Sequence, residues 1–368
     1  MTIILFIIVL VALILVHEFG HFVVAKLSKM RVDEFGIGYP PRAWAIKKGE
    51  TEYSLNWLPF GGFVKIYGED EQDKVEGTDE THRAFGSRPR ILQALVLVAG
   101  IGMNLLFAYI LLSTTLALGT PRALSPEEVS RATEVQLFVA EVLPNGPADI
   151  AGIKAGDAIE RASYGDNTFS SVVPEEFTTF ISHDTKSSPL TLSVLRDGKH
   201  IQLEVTPKVG VVTKDPTRPA LGIAIATAGV LPVSLTQAFT EGAQLTWEIT
   251  KQTGVGLWHF FASIATFTAD LSQVSGPVGI AGAVGSASSH GIAALLSLTA
   301  IISINLALIN ILPLPALDGG RLLFVIIEAI IRRPIPASVG RVVNTLGFAF
   351  LLLLMVVVTA HDLFKAFV

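Results

Sequence analysis

The sequence of 368 residues contains no cysteine and few charged side chains, which make up 16% of its residues. The absence of cysteine excludes disulfide bonds and thiolate metal sites, so any metal ion must be held by His, Asp or Glu. The net charge of −5, without a dense basic cluster, gives no sign of a nucleic-acid partner. Half of the residues are apolar, and this composition indicates an integral membrane protein.

The first apolar run also lacks charge, because no charged side chain occurs from Met1 to Val16. A signal peptide would carry a positive region before this run and a small-residue cleavage site after it, and the sequence shows neither. We therefore predict a retained membrane helix here and three more apolar helices further on. The predicted spans are residues 2–25, 91–118, 291–312 and 339–360.

The first span ends in an H-E-x-x-H motif formed by His17, Glu18 and His21. Ionisable side chains are costly inside a bilayer, so they indicate a functional site. At 3.6 residues per turn, His17 and His21 share one helix face and reach one metal ion, while Glu18 reaches a water on that ion. The motif predicts a zinc hydrolase with Glu18 as general base. The alternative is a pair of histidines satisfied by hydrogen bonds at a helix end.

A third metal ligand is predicted where the third span ends. Pro313 and Pro315 prevent a regular helix there, and broken backbone at membrane depth is tolerated where it lines a protein interior or cavity. Asp318 follows at about the depth of His17 and His21. It completes a site of two histidines and one carboxylate with one position open to water. The alternative is that Asp318 caps the helix that follows.

Two features near this site leave alternatives open. Residues 51–68 contain two alternating segments around Pro59-Phe60-Gly61-Gly62, the signature of a β-hairpin. Its aromatic content predicts a hairpin that enters the membrane beside the active site, and a hairpin packed on its own small core fits equally well. Asn104, in the second span, needs a polar partner, either on a neighbouring helix or near the metal.

The region after the second span is polar and punctuated by Pro and Gly. From Phe138 to Ile159 it reads as strand, proline turn, short helix, glycine turn and strand, and strands follow at Leu190–Arg196 and Lys199–Val205. This order resembles a PDZ domain, and we predict an inserted PDZ-like α+β domain over residues 130–210. Residues 231–271 are predicted to form interfacial amphipathic helices.

Five motifs together resemble the site-2 protease family of intramembrane zinc metalloproteases, in the bacterial type represented by the regulator of sigma-E protease. They are His17–His21, Pro59–Lys65, Arg88-Pro89-Arg90, Ser275–Gly279 and Asn310–Gly320. The resemblance implies one Zn²⁺ on His17, His21 and Asp318, with Glu18 as base. It also implies substrate contacts from Asn305, Asn310, Pro313, Phe60, Gly61, Gly62, Phe63 and Val64.

The predicted fold is a polytopic α-helical membrane protein with four transmembrane helices, a membrane re-entrant β-hairpin and one inserted PDZ-like domain. Residues 1–118 and 275–368 would form its two catalytic membrane parts. The resemblance implies cleavage, within the lipid bilayer, of single-span membrane proteins such as anti-sigma factors or signal-peptide remnants.

Basic residues concentrate at about residues 26–90 and before the last span. By the positive-inside rule, the active site is near the cytoplasmic face of a bacterial cell (inner) membrane and the PDZ-like domain is extracytoplasmic. The alternatives are a catalytically silent PDZ-containing membrane adaptor and a zinc transporter. A transporter would place acidic residues or histidines on several spans, and the interiors of the second and fourth predicted spans have none.

Overall fold

The computed structural model describes residues 2–69, 81–119, 121–182, 188–196, 198–211, 217–231, 233–266 and 275–367. The chain divides into two compact units, of which the first combines Met1–Thr115 with Phe239–Val368 and the second is Leu116–Ala238. The second unit is therefore an insertion in the first. The helices are α1 (Thr2–Leu27), α2 (Arg90–Ala117), α3 (Pro147–Ile150), α4 (Pro174–Ser182), α5 (Leu235–Ala265), α6 (Pro277–Ser289), α7 (Ile292–Ile311), α8 (Asp318–Ile331) and α9 (Ala337–Phe367).

Four of the described helices are long and apolar enough to cross a membrane, judged by length and composition. They are Thr2–Leu27, Arg90–Ala117, Ile292–Ile311 and Ser338–Phe364, which agree with the four predicted spans. Helix α1 is apolar on all sides until it reaches His17, as expected of a helix within lipid and other helices. The chain is accordingly a multi-pass membrane protein.

A β-sheet follows α1, and its topology differs from the predicted hairpin. It consists of β1 (Val32–Lys48) and β2 (Thr51–Ile66), which pair antiparallel and turn back between residues 48 and 51. The predicted turn at residues 59–62 lies inside β2, and the two arms of the predicted hairpin do not pair with each other. Phe35 of β1 lies between them, opposite Val64 on one side and Tyr53 on the other.

The prediction of a self-paired hairpin over residues 51–68 is therefore wrong, and the reason is physical. The alternation of apolar residues marks each arm as a strand, but it carries no information on which strand each arm pairs with. The true partner, β1, contains Gly36, Gly38 and the Pro40-Pro41 pair, which mask its strand character in the sequence.

Helix α5 replaces the several interfacial helices predicted over residues 231–271. It is one helix of 31 residues, and residues 267–271 lie outside the described part of the chain. One face packs on α2, because a Cβ on Gly242 would lie 2.2 Å from Ser113 Oγ. The opposite side exposes Trp247 and Trp258. Burial of one face and exposure of aromatic residues on the other give the predicted amphipathic character.

The second unit contains a sheet of the order β3-β9-β4-β5-β7-β8, with β6 paired to β5. The predicted strands at Leu190–Arg196 and Lys199–Val205 are confirmed. The sheet extends beyond the predicted limits of 130–210, because its first and last strands flank them. The strands are β3 (Pro121–Ala123), β4 (Thr133–Val142), β5 (Ala158–Tyr164), β6 (Asn167–Phe169), β7 (Leu190–Arg196), β8 (Lys199–Val205) and β9 (Ile223–Val230).

The core of this unit lies between one face of the sheet and helix α4. Alternate strand residues such as Leu190, Leu192 and Val194 are fully buried, and Phe177 and Ile181 of α4 pack against them. Period-two alternation on a strand and an i, i+4 pair on a helix are the patterns that build a two-layer core.

Candidate metal centre

Helix α1 brings the two histidines of the H-E-x-x-H motif together inside the first unit. His17 and His21 are both buried, and their Nε2 atoms lie 3.1 Å apart. The i, i+4 spacing places both rings on the same helix face, and the rings meet edge to face with their centroids 4.7 Å apart. The two nitrogens therefore point at one place.

Asp318 reaches the same place from the loop between α7 and α8. Helix α7 ends at Ile311, and residues 312–317 run as turns in which Ala316 takes a left-handed φ of +72°. Asp318 is the first residue of α8, and its side chain makes no capping hydrogen bond to any described residue of that helix. Instead its Oδ2 lies 2.9 Å from His17 Nε2 and 3.2 Å from His21 Nε2. The geometry favours the predicted ligand role over the capping role.

The three side chains fit a zinc ion. Their ligand atoms lie within 4.8 Å of one another, and the three shortest separations are 2.9, 3.1 and 3.2 Å. Ligands about 2.0–2.2 Å from a tetrahedral zinc ion are separated by about 3.3 Å, so the triangle is close to one face of such a tetrahedron. Two imidazoles and one carboxylate are also a known donor set for catalytic zinc, with the fourth position open to water.

Each histidine has a second partner that orients its ring. His21 Nδ1 donates to the Val96 carbonyl over 2.8 Å, which leaves Nε2 free for a metal. Asn104 Nδ2 lies 3.3 Å from His17 Nδ1, while Asn104 Oδ1 is buried without a hydrogen-bond partner among the described residues. Rotating this amide by half a turn lets Oδ1 accept the His17 Nδ1–H, which satisfies both groups.

The sequence leaves two possible partners for the Asn104 side chain, one on a neighbouring helix and one near the metal, and the structure favours the second. The residue is almost fully buried, and its side chain faces the metal centre. The contact to a neighbouring helix is made by its backbone, because the Ser303 hydroxyl of α7 donates to the Asn104 carbonyl over 2.8 Å. Ser303 thus fixes α7 to α2 beside the candidate metal centre, and sequence reasoning did not identify this role.

Glu18 is partly exposed next to the two ligands, on the side of α1 that β2 approaches. A Cβ added to Gly62 would lie 3.8 Å from Glu18 Cγ and 3.2 Å from the Leu15 side chain. Gly61 and Gly62 are buried against α1, so strand β2 passes directly beside the predicted general base.

The predicted substrate-binding residues lie on helix α7, on the loop that follows it and on strand β2. Asn305 donates to its own helix at Ile301, and Asn310 lies half-buried in the last turn of α7 without a hydrogen bond to any described residue. Pro313 is exposed in the loop that follows. On β2, Phe63 stacks on Tyr39 and Val64 packs beside the core of the first unit, and the Phe60 side chain lies outside the described part of the structure.

Two glycines make room for this arrangement, and sequence reasoning did not assign them this role. A Cβ on Gly100 of α2 would lie 2.5 Å from His21 Nε2 and 2.8 Å from His17 Cε1. A Cβ on Gly20 of α1 would lie 2.4 Å from the Ala99 carbonyl oxygen. Helices α1 and α2 therefore meet through glycine, which lets backbone approach the ligand rings. Small residues within an apolar span are the sequence feature that could have pointed to Gly100.

The family model described as Peptidase family M50 matches residues 5–354 of the chain. The chain belongs to peptidase family M50. The predicted resemblance to zinc proteases of the site-2 type is thereby confirmed, and this M50 peptidase is an enzyme of the metalloprotease class.

Relatives of this M50 peptidase cover nearly its whole length. A Clostridium perfringens protein assigned as a zinc metalloprotease is 35% identical over 359 residues, covering 96% of this chain and 95% of that protein. The regulator of sigma-W protease RasP of Bacillus subtilis is 30% identical over 447 residues, covering 100% and 99%. A solved PDZ domain of an SdrC-like protein from Listeria monocytogenes covers 24% of this chain and 86% of its own, at 22% identity and a TM-score of 0.21.

The close fit of Gly100 against the ligands gives a sharp test in this M50 peptidase. Gly100→Ala is expected to lower metal affinity at least about tenfold, because its methyl group would displace the His21 ring, and a mispositioned ligand shell has effects of this size. Gly102→Ala is the matched control, since a Cβ there meets nothing within 4 Å. Metal titration of both variants measures the difference, and equal affinities would contradict the assigned role of Gly100.

Proposed function

We propose that this M50 peptidase is an intramembrane zinc metalloendopeptidase that hydrolyses a peptide bond in the transmembrane segment of single-span membrane proteins. The observation that carries the proposal is the triangle of His17 Nε2, His21 Nε2 and Asp318 Oδ2, built partly on a helix apolar enough to span a membrane. Relatives are named as zinc metalloproteases and as a regulator of sigma-W protease, which supports both the metal and the substrate class.

In this proposal His17, His21 and Asp318 hold one zinc ion. When bound, such an ion polarises the scissile carbonyl and lowers the pKa of its water towards about 7. The Glu18 carboxylate accepts the proton of the attacking water and passes it to the leaving amine. Asn104 and the Val96 carbonyl hold the two imidazoles in the tautomer that presents Nε2.

A transmembrane helix hides its peptide bonds, so the substrate must unwind before it is cut. We infer that residues 63–66 of β2 receive the unwound segment as an added strand. Their inner edge pairs with β1, and no described strand pairs with their outer edge. Gly62 places this edge beside Glu18. Unchanged cleavage after Val64→Pro, which disrupts strand pairing, would remove this role.

The surface of the same sheet supports its predicted location in the membrane. Trp44, Trp57 and Leu58 are all exposed, with Trp57 at 70%. A hairpin packed on a core of its own would bury such side chains, whereas a sheet in contact with lipid leaves them outside.

The side-chain amide of Asn310, next to the break in α7, is available to hold exposed backbone groups of the substrate. Wild-type cleavage by Asn310→Ala would exclude that contribution.

The proposed orientation places the metal centre near the cytoplasmic face of a bacterial cell membrane. It rests on the basic residues that follow α1 and precede α2 and α9. The second unit is then extracytoplasmic. A single cysteine introduced at the exposed Gly165 should react with an impermeant thiol reagent from outside intact cells, and protection there would reverse the orientation.

The alternative function, a catalytically silent membrane adaptor, is supported by the second unit. We propose that this unit binds peptides as a PDZ-like domain. A groove of about 320 Å³ lies there between α4 and β9, with apolar side chains such as Phe177 and Ile181 and one cation, Arg218, whose Nε is buried without a partner among the described residues. Such a groove suits an extended peptide. A silent adaptor would bind peptide and cleave nothing, so the cleavage assay separates the two functions.

Removal of the metal tests the proposed function. The purified protein in liposomes with a model single-span substrate is expected to cleave it, to lose this activity in a zinc chelator and to regain it when zinc is returned. Zinc content and substrate fragments are measured on the same samples. Cleavage that persists after zinc has been removed to undetectable levels would contradict the proposal.

A further inference from the structure

The motif Ser275–Gly279 has no role in the chemistry described so far. It begins α6, with Gly276 as the N-terminal capping residue and Pro277 in the first turn. The first four N–H groups of a helix lack partners within the helix, and a side chain of the capping residue usually accepts from one of them. Glycine has no side chain, and no side-chain cap is present. Helix α6 therefore takes an acceptor from elsewhere.

That acceptor is a carboxylate from the last helix. Asp362 of α9 accepts a hydrogen bond from the Gly279 N–H at 2.9 Å through its Oδ2. A Cβ on Gly276 would lie 2.9 Å from the same oxygen, and one on Gly279 would lie 3.2 Å from it. Both glycines of the motif thus leave the space that the carboxylate occupies. A negative charge at a helix N-terminus is also favoured by the helix dipole.

Helix α6 in turn packs on the helix that carries the H-E-x-x-H motif. Val284 of α6 is fully buried in one cluster with Val9 and Leu13 of α1. Leu13 is four residues, about one turn, before His17. At the other end of α6, Gly285 lies against Thr2, where a Cβ would be 3.5 Å from Thr2 Cβ. Asp362 is thereby connected to α1 through one rigid helix.

We propose that Asp362 is a positioning residue that fixes α6 on α1 by binding the Ser275–Gly279 motif. The residue contacts neither the metal ligands nor Glu18, and it acts on the site through α6. Its charge lies near the end of an apolar helix, where an ionised side chain requires a partner. The contact between the helices follows from the structure alone, and its consequence for cleavage rests on the proposed function.

The absence of native cysteine allows a direct measurement of this packing. Introduced cysteines at Thr2 and Gly285 would have Cβ atoms about 3.5 Å apart, within the range that a disulfide requires. In the full-length protein, Thr2→Cys with Gly285→Cys is expected to form a disulfide readily under mild oxidation. Adding Asp362→Ala should slow its formation about three- to fivefold, the fold-change that corresponds to the loss of one hydrogen bond.

Three further variants serve as controls for the positioning role of Asp362. Asp362→Asn keeps an oxygen acceptor for the Gly279 N–H and should restore most of the cross-linking rate. Gly276→Ala should slow cross-linking more when Asp362 is present than in Asp362→Ala, since the nearest clash partner, 2.9 Å away, is then gone and only the contacts to Val358 at 3.1 Å and Thr359 at 3.4 Å remain. Gly282→Ala, whose Cβ meets nothing within 4 Å, should leave the rate unchanged.

The outcomes separate this inference from the proposed function. Cross-linking at the original rate in Asp362→Ala, or equal losses from Gly276→Ala in both backgrounds, would overturn the positioning role. The expected cross-linking pattern in a protein that cleaves no substrate would leave the helix contact standing and count against the proteolytic function. In an active protein, Asp362→Ala should also lower kcat more than it raises KM, because it moves α1 rather than a substrate contact.

Discussion

Glu18→Gln is expected to reduce the cleavage rate by about 10²- to 10⁴-fold, the usual contribution of a general base. Glutamine has the same shape as glutamate but does not accept a proton from the attacking water at neutral pH. His17, His21 and Asp318 form the ligand triangle without Glu18, so the variant should still bind one zinc ion per chain. Rate and zinc content are to be measured together, in liposomes, with the same single-span substrate.

The matched control for this experiment is Glu176→Gln, an equivalent change at an exposed position on α4. It should leave both the rate and the zinc content unchanged. Equal rates for wild type and Glu18→Gln would exclude Glu18 as the base. Loss of zinc from Glu18→Gln would instead show that Glu18 supports the ligand set, and the assigned division of roles would be wrong.

Asp318→Asn is expected to abolish zinc binding under conditions in which the wild type is saturated, and cleavage with it. The change removes the only charged oxygen ligand of the three-residue cluster and leaves two buried imidazoles whose Nε2 atoms are 3.1 Å apart. The loss should exceed the 10- to 100-fold that follows from disturbing an outer partner such as Asn104. Zinc titration monitored by competition with a chromogenic chelator gives the affinity.

The comparison with Asp166→Asn, in an exposed turn of the second unit, controls for the loss of one carboxylate from the chain. Thermal unfolding with and without zinc supplies a second readout, because a metal that binds the folded state raises its stability. Zinc should stabilise the wild type and the Asp166→Asn protein and leave Asp318→Asn unaffected. An unchanged zinc affinity in Asp318→Asn would remove the third ligand from the site.

The position of Asp318 shows what the sequence allows one to predict. His17 and His21 are four residues apart on a helix, so local geometry alone places them together. Asp318 lies about 300 residues later, and counting membrane spans was enough to bring it to the same depth. Transmembrane helices run from one side of the bilayer to the other. The position of a residue along a span therefore determines its depth in the membrane.

The sheet formed by β1 and β2 shows where this reasoning fails. Strand character is local, and both arms of β2 were identified from it. Strand pairing is not local. Residues 34–37 of β1 lie between the two arms of β2, and the alternation of apolar residues in β2 does not indicate this. The limits of the inserted unit failed for the same reason, because β9 is recruited into the sheet from beyond residue 210.

Residues that leave space for the two histidine rings or orient these rings form a third group, and their roles could not be predicted from the sequence. Gly100 is required because it faces His21 Nε2, and the Val96 carbonyl matters because it fixes the His21 ring. Asn104 was visible as a polar residue in an apolar span, but its partner was not. Such roles depend on which helix face meets which neighbour, and hydropathy does not encode this in a helix that is apolar all round.

In the proposed site His17, His21 and Asp318 hold one zinc ion, and X-ray absorption at the zinc edge of the wild-type protein identifies the ligands of that ion. We expect one zinc per chain with two imidazole nitrogens at about 2.0–2.1 Å and oxygen ligands at about 2.0–2.2 Å. Asp318→Asn should lose this signal. A zinc ion with three or more imidazole ligands, or a wild-type protein that binds no zinc under saturating conditions, would exclude this ligand set.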